Sequence, residues 1–155
     1  MARPFSWTSS AQERDAIELH GAITEHADLD ALASAIHGAA VLHLGDVDYI
    51  NSIGVRTWIR FVRRCEAEGA RLTLVAVSPV LVAQMNMIAG FSGGAVVRSV
   101  AAPFVCPACE TATTTVVDLA GDVDAAFAAP VVCACGATME FDDLPEHYLA
   151  FRSND

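Results

Sequence analysis

The sequence predicts an α/β protein in which a mixed or largely parallel sheet with crossover helices is followed by a small, strand-rich module. Strand and helix patterns alternate over the first hundred residues in the order β, α, β, α, β, α, β. Four of the five cysteines then gather in the last third of the chain, where the charge also changes. We therefore expect two units, residues 1–102 and residues 103–155. A chain of 155 residues suffices for a domain of about 100 residues with a small appendage.

The first predicted strand covers residues 16–19 and extends toward Ile23, with Ile17 and Leu19 on one face. A helix should follow, because apolar residues recur at helical spacing and Gly38 stands where a helix would end. These apolar residues are Leu29, Leu32, Ala33 and Ile36.

The second strand is predicted at residues 41–44, and residues 47–50 lead from it into a turn. The next helix ends near Gly69. Its apolar face is formed by Val55, Trp58, Ile59 and Val62. Cys65 falls beside that face and is interpreted as a buried small hydrophobic residue.

A third strand is predicted at residues 72–77. Ser78 as N-cap and Pro79 at the first helical position then open a helix that stops at Gly90. Residues 95–100 form the last strand of the domain, and residues 101–103 a short hinge. Beyond the hinge we expect a strand at residues 113–119 and a terminal turn or short helix at residues 145–151.

The four clustered cysteines predict a structural zinc site of the zinc-ribbon kind. Cys106 and Cys109 form a CPAC segment, and Cys133 and Cys135 follow in a CACG segment. Thiolates at two close spacings are what a tetrahedral zinc site needs, and metal binding can fold a segment with little core of its own. The second pair is spaced C-x-C, whereas a ribbon carries C-x-x-C in both halves. Two disulfides and free or redox-active thiols are the open alternatives, and His147 is a weaker candidate for the fourth ligand.

The net charge of −10 is unevenly divided along the chain. Residues 1–102 carry eight arginines against ten acidic residues, and residues 103–155 carry one arginine against nine; there is no lysine. Nucleic acid is disfavoured as a partner of the acidic module, because phosphate contacts depend on Lys and Arg. No run approaches the roughly 18 apolar residues of a membrane span, and no secretory signal is visible. We expect a soluble, cytoplasmic protein.

The turn before the second helix carries a family signature. Residues 46–55 run from an apolar strand through Asn51 and Ser52 to Gly54 and an amphipathic helix. This segment, with the order of elements over about residues 10–100, resembles the STAS domain of anti-sigma-factor antagonists, in which a strand ends in a D-S-x-G-type turn. Here Asn51 stands where the family usually has an aspartate.

The resemblance implies that Ser52 is phosphorylated by a partner anti-sigma kinase or a related regulator, and that phosphorylation breaks the complex. A phosphate is physically reasonable there, because the helix N-terminus offers unpaired N–H groups and a favourable dipole. The alternative is that Asn51 and Ser52 only cap the helix. Asp46 and Asp48, just upstream, are interpreted as solvated strand-edge residues.

Four arginines follow the turn at spacings that place them along one helix face next to Ser52. They are Arg56, Arg60, Arg63 and Arg64. One interpretation is a solvated face; the other, with Asn51 and Ser52, is a binding surface for an acidic partner or for the acidic module itself.

Three functional classes follow from these observations. The first is a non-enzymatic signalling module that binds a protein partner and carries a structural zinc site; self-association stays open. The second, an enzyme, is disfavoured because the sequence offers no phosphate-binding loop and no convincing nucleophile–base pair. The third is a zinc-ribbon regulator associated with nucleic acid, and a scaffold subunit of a larger signalling assembly is a further alternative. We expect the first.

Overall fold

The computed structural model describes residues 3–154. The strands are β1 (Ser6–Ser9), β2 (Ala16–Ile23), β3 (Ala39–Ile50), β4 (Arg71–Val75), β5 (Val96–Val97), β6 (Ser99–Val105), β7 (Ala112–Asp118) and β8 (Glu140–Phe141). The helices are α1 (Leu29–Ala35), α2 (Ser52–Ala67), α3 (Pro79–Met87), α4 (Val123–Ala128) and α5 (Pro145–Tyr148), with a final 3₁₀ helix at Ala150–Asn154. Among these residues, none of the helices combines the length and the apolar content needed to cross a bilayer.

The predicted α/β architecture with a mixed sheet is confirmed. Five strands form one sheet in the order β1-β2-β3-β4-β5. The strands β2 to β5 are parallel to their neighbours, whereas β1 pairs antiparallel with β2. Helices α1, α2 and α3 are the crossover connections that parallel neighbours require. The sequence pattern did not predict β1, a four-residue strand with mostly exposed side chains.

The central strand β3 is longer than predicted. The two patterns at residues 41–44 and 47–50 belong to one strand of twelve residues. Its pairing with β2 shifts register twice, between Glu18 and His20 and between Gly21 and Ala22. Gly21 has a φ of +84°, and a Cβ there would lie 2.2 Å from the Pro4 carbonyl oxygen. Only glycine allows the N-terminal segment to cross β2 at this point.

Helix α2 is anchored to the sheet by a buried apolar face. Trp58 and Val62 are fully buried, and Cys65 is buried as predicted. The Trp58 ring lies 5.3 Å from the Phe61 ring and 6.0 Å from the Phe91 ring, centroid to centroid. This packing fixes the position of α2, and therefore of its N-terminal turn, against the core.

The predicted last strand at residues 95–100 is in fact two strands in different sheets. Val96–Val97 pairs with β4 in the first sheet, whereas β6 begins at Ser99 and is the centre of a second, antiparallel sheet in the order β7-β6-β8. The predicted hinge at residues 101–103 lies inside β6. A bridge between Val77 and Val100 joins the ends of the two sheets.

The C-terminal segment packs back onto α3 and β6. Tyr148 is buried, which raises the pKa of its phenol, and its hydroxyl donates to the Ala101 carbonyl oxygen at 2.6 Å. The Asn86 side chain of α3 donates to the Tyr148 carbonyl at 3.0 Å and accepts from the Phe151 N–H at 2.8 Å. Phe104, Phe127, Phe141 and Tyr148 form the aromatic contacts beneath this segment. One cluster of buried residues therefore runs from the first sheet into the second.

Candidate functional site

Asn51 is the N-cap of α2. Its side-chain oxygen accepts from the Gly54 N–H at 2.8 Å, and its carbonyl accepts from the Val55 N–H at 2.9 Å. The amide nitrogen of the same side chain donates to Glu25 at 2.8 Å, and this hydrogen bond lowers the pKa of the Glu25 carboxyl. An aspartate could cap the helix but could not donate to Glu25. The asparagine can therefore cap the helix and also donate a hydrogen bond to the negatively charged Glu25 carboxylate.

Ser52 is the first residue of α2 rather than its cap. Its side chain is exposed, and its hydroxyl forms no hydrogen bond within residues 3–154. In the same described part of the chain, the N–H groups of Ser52 and Ile53 also lack a hydrogen-bond partner, as expected at a helix start. The hydroxyl is thus accessible and next to two free donors. Capping by Ser52 itself is excluded in this geometry, because Asn51 performs it.

Two apolar side chains flank Ser52 and were not predicted from the sequence. Tyr49, near the end of β3, and Ile53, in the first turn of α2, are each 47% exposed. At 100° per residue, Ile53 falls about 120° from the centre of the buried face of α2. The exposure of Ile53 can be predicted from a helical projection of α2, because Ile53 is an apolar residue outside the buried face.

Gly54 brings the start of α2 unusually close to β2. A Cβ at this position would lie 1.9 Å from the Ile23 carbonyl oxygen. That carbonyl accepts from the Asn51 N–H at 3.3 Å, and Ile23 is fully buried. The glycine of the turn therefore allows the contact that positions Asn51 and Ser52.

The four arginines predicted as a binding face are in two different situations. Arg56, Arg60 and Arg63 are exposed and form no ion pair within residues 3–154. With Ser52 they lie within an arc of about 80° on the helix. Arg64 instead contacts α1, with Asp30 at 3.4 Å and Ser34 at 3.1 Å, and also Glu68 at 3.4 Å. The free part of the face is therefore the part nearest to Ser52.

The structure brings the four predicted cysteine ligands together. Their sulfur atoms all lie within 4.8 Å of one another. The Cys106–Cys135 and Cys109–Cys133 sulfur pairs are each 3.5 Å apart. Four Zn–S bonds of about 2.3 Å give a tetrahedron with edges of about 3.8 Å, whereas a disulfide requires about 2.05 Å. The separations match a shared metal ion rather than two disulfides. His147 is not in the cluster and contacts Asp143.

Two turns bend the backbone around these sulfurs. After the first pair, the Glu110 N–H donates to the Cys106 carbonyl at 2.9 Å, and Glu110 has a φ of +63°. In the turn at the second cysteine pair, the Gly136 N–H donates to the Cys133 carbonyl at 2.9 Å, and Gly136 has a φ of +97°. The C-x-C spacing suffices because this tight turn presents both of its sulfurs to the first pair.

The thiols have unequal acidities, which bears on metal binding. Hydrogen bonds from the side chain and backbone of Thr111 lower the pKa of Cys109 to about 6. The pKa of Cys135 is raised to about 11: a backbone hydrogen bond from Ala137 lowers it, but the neighbouring sulfurs, Cys106 first, raise it by more. Crowded thiolates repel, so a divalent cation is what would allow all four to ionise. The donor set fits zinc, which favours four thiolate ligands.

Asp46 and Asp48 are not merely solvated strand-edge residues. Arg3 donates to Asp46 at 2.8 Å and to Asp48 at 3.2 Å, and His20 Nδ1 lies 2.6 Å from Asp46 Oδ2. Hydrogen bonds from Arg3, and then from His20, lower the pKa of Asp46. The group ties the N-terminal segment to β2 and β3, which is a structural role. The sequence interpretation missed it because Arg3 is 43 residues away from Asp46.

A comparison with known families identifies the fold around Ser52. The family model of the STAS domain matches residues 10–93, more than half of the chain. The chain belongs to the STAS domain family, as its resemblance predicted. No curated protein and no solved structure matches it. STAS domains are regulatory modules of the sigma-factor-antagonist or sulfate-transporter-associated type; they are generally not enzymes and typically bind proteins. The matched residues contain the start of α2 but not the cysteine cluster.

Proposed function

We propose that this protein is a non-enzymatic, cytoplasmic signalling module of the anti-sigma-factor-antagonist kind, which binds a protein partner through the start of α2 and is switched by phosphorylation of Ser52. The partner would be an anti-sigma kinase or a related regulator. The observation that carries the proposal is an exposed serine hydroxyl, without a hydrogen bond to any described residue, at the N-terminus of a sixteen-residue helix in a STAS domain.

A phosphate on Ser52 would be accommodated without disturbing the fold. The hydroxyl is exposed, Asn51 already caps the helix, and the N–H groups of Ser52 and Ile53 are available as donors. The Arg56 side chain, one turn along, is the nearest cation on the same face. The new charge of about −2 would therefore be tolerated in the free protein, and its cost would fall on a partner docked over Ser52.

The surface around Ser52 supports binding of a partner with an acidic rim and an apolar centre. Tyr49 and Ile53 provide the exposed apolar area. Arg56, Arg60 and Arg63 extend from it as positive charges that form no ion pair in the described part of the chain. We include Asn51 and Arg64 in the surface as predicted, with Arg64 at its margin because α1 already contacts it. Exposed charges mainly steer association, so binding should weaken as salt rises.

The test compares what the protein captures from its native cell. Tagged wild-type protein should co-purify with a kinase, sigma regulator or scaffold that mass spectrometry identifies, and Ser52→Glu should lose it. Ser153→Glu, which adds the same charge at another exposed serine, should retain it. Capture of the same partner by the Ser52→Glu variant at wild-type level would contradict the proposal.

The arginine contribution has its own control within the helix. An Arg56→Ala, Arg60→Ala, Arg63→Ala variant should bind the partner more weakly and with less salt dependence. Arg64→Ala should have the smaller effect on binding, because Arg64 contacts Asp30 and Ser34 within the protein. Equal effects of the triple and the single change would contradict this assignment.

We further propose that the four cysteines hold a structural zinc ion, which would stabilise residues 103–155 as a distinct unit. Cys106, Cys109, Cys133 and Cys135 would be its ligands, and the ion would add to the free energy of folding. Reduced thiolates of this kind suit the cytoplasm. Metal analysis of the purified protein should give about one zinc per chain. Cys133→Ser should lower that content and Cys65→Ala should leave it unchanged; unchanged zinc in Cys133→Ser would contradict the site.

A further inference from the structure

Among the outermost strands of the two sheets in residues 3–154, β7 is the longest. In the second sheet β7 pairs with β6 on one side only. The other sheet ends are short: β8 and β5 have two residues each and β1 has four, against seven in β7. An open strand edge presents N–H and C=O groups on which another strand can pair.

The register shows which groups of β7 face outward. Two backbone bonds extend the β6–β7 pairing at its ends: the Cys106 N–H donates to Thr111, and the Leu119 N–H donates to Arg98. Because bonded pairs alternate with non-bonded pairs in an antiparallel ladder, the odd-numbered residues of β7 bond to β6. The outward backbone groups therefore belong to the even-numbered residues, Ala112, Thr114, Val116 and Asp118. All four are also exposed, Val116 by 59%.

Most of the usual devices that block an open edge are missing from β7, whose one charged residue is Asp118 at its end. The strand contains no lysine, arginine or proline, and its pairing with β6 runs through seven residue pairs without a bulge. Three threonines and two valines give it a strong preference for extended structure. Within residues 3–154, no helix or loop forms a backbone hydrogen bond to the even-numbered groups. The outward N–H and C=O groups of β7 are therefore accessible to another strand.

The charge around this edge selects the kind of strand that can pair there. Four exposed acids lie in or next to β7 in the chain: Asp118 is its last residue, Glu110 precedes it, and Asp122 and Asp124 follow it. Arg98, whose carbonyl accepts from the Leu119 N–H, has its guanidinium 3.9 Å from Glu13. A second copy of this chain would bring two such acidic borders together, which is unfavourable. An extended segment with basic residues would instead complement them.

We propose that β7 accepts an extended, basic segment of a protein partner as a fourth strand of the second sheet. Main-chain hydrogen bonds to the four even-numbered residues would supply affinity, and alternate basic side chains would meet the acidic border. This surface lies outside the STAS match and does not depend on phosphorylation of Ser52. Its failure would leave the function proposed for the start of α2 untouched.

Amide hydrogen exchange by NMR tests the pairing residue by residue. The probe is a capped peptide of about seven residues that alternates arginine with valine, the length of one strand. The peptide should slow exchange at the N–H groups of Ala112, Thr114, Val116 and Asp118, whereas the odd-numbered residues are already protected by β6. A matched peptide with glutamate in place of arginine should bind at least about tenfold more weakly.

A proline substitution separates strand addition from loss of fold. Thr114→Pro removes an outward N–H and leaves the bonds to β6, a position that edge strands tolerate, and should weaken peptide binding about tenfold. Ser9→Pro is the matched control. By the same alternation, the backbone N–H of Ser9 points away from β2 on the edge strand β1, so this change also removes an outward N–H.

Equal binding by Thr114→Pro and wild type, or protection elsewhere than at the even-numbered residues, would overturn the proposal. So would protection of those residues that grows with protein concentration in the absence of peptide, because the occupant would then be a second copy.

Discussion

Gly54→Ala tests the close approach of α2 to β2 that positions Ser52. In an ordinary helix this change would stabilise the protein by about 1 kcal/mol, because alanine is the better helix former. Here the new Cβ would lie 1.9 Å from the Ile23 carbonyl oxygen. A normal carbon–oxygen contact is about 3.3 Å, so the start of α2 must move outward by about 1.4 Å.

The cost of that movement can be estimated from the contacts it disturbs. Overpacking against a buried backbone costs about 2 kcal/mol. The hydrogen bond from Asn51 to Ile23, already 3.3 Å long, would also be lost, at about 1 kcal/mol. Set against the gain in helix propensity, we expect a net destabilisation of about 2 kcal/mol. For a chain of this size that corresponds to a melting temperature lower by about 4–8 °C.

Urea unfolding followed by circular dichroism measures this change. The midpoint of Gly54→Ala should fall while the m-value stays constant. Gly121→Ala is the control, since a Cβ at Gly121 would have no atom within 4 Å, and its stability should equal or slightly exceed that of the wild type. A Gly54→Ala variant as stable as the wild type would refute the reasoning that this glycine fixes the entrance of α2.

Three further predictions concern hydrogen bonds in the structure. Asn51→Asp should keep the cap but set a carboxylate against Glu25, so its stability should be lower at pH 7 and recover near pH 4, where carboxyls protonate; a pH-independent effect in urea titrations would contradict this. Tyr148→Phe should cost about 1 kcal/mol in the same assay by leaving a β6 carbonyl unpaired, and no loss would show that water replaces the hydroxyl. The lowered pKa of Asp46 means that its stabilising contribution is present above about pH 4 and lost as the pH falls; Arg3→Ala should flatten that loss, and an unchanged pH profile would argue against the ion pair.

Patterns within single elements allowed most of the first sheet to be predicted. Leu29 and Leu32 marked α1, and the apolar face with Trp58 marked α2, because both periodicities reflect burial against one sheet. The exchange of sheets between Val97 and Ser99 could not be predicted this way. Both strands carry similar apolar residues, and the choice between β4 and β7 as neighbour depends on contacts distant in sequence.

In the candidate sites, too, local patterns could be predicted from the sequence, whereas contacts between distant segments could not. Cys106 and Cys133 could be assigned to one site from the sequence, because two closely spaced cysteine pairs are a pattern typical of a metal site. Arg64 could not be distinguished from Arg60 on a helical projection, since its partners Asp30 and Ser34 come from another helix. Ile53 leaves the buried face of α2 on the same projection, so its exposure could be predicted from the sequence.

The two hydrogen bonds of Asn86 have a practical consequence for anyone who shortens this protein. A chain ending at residue 102 would keep α3 but remove both main-chain partners of that amide, and it would uncover the apolar side on which Tyr148 and Phe151 rest. Such a fragment should aggregate and precipitate, even though the family match ends at residue 93, before the end of the shortened chain. Studies of partner recognition are therefore better made with all 155 residues than with the matched segment alone.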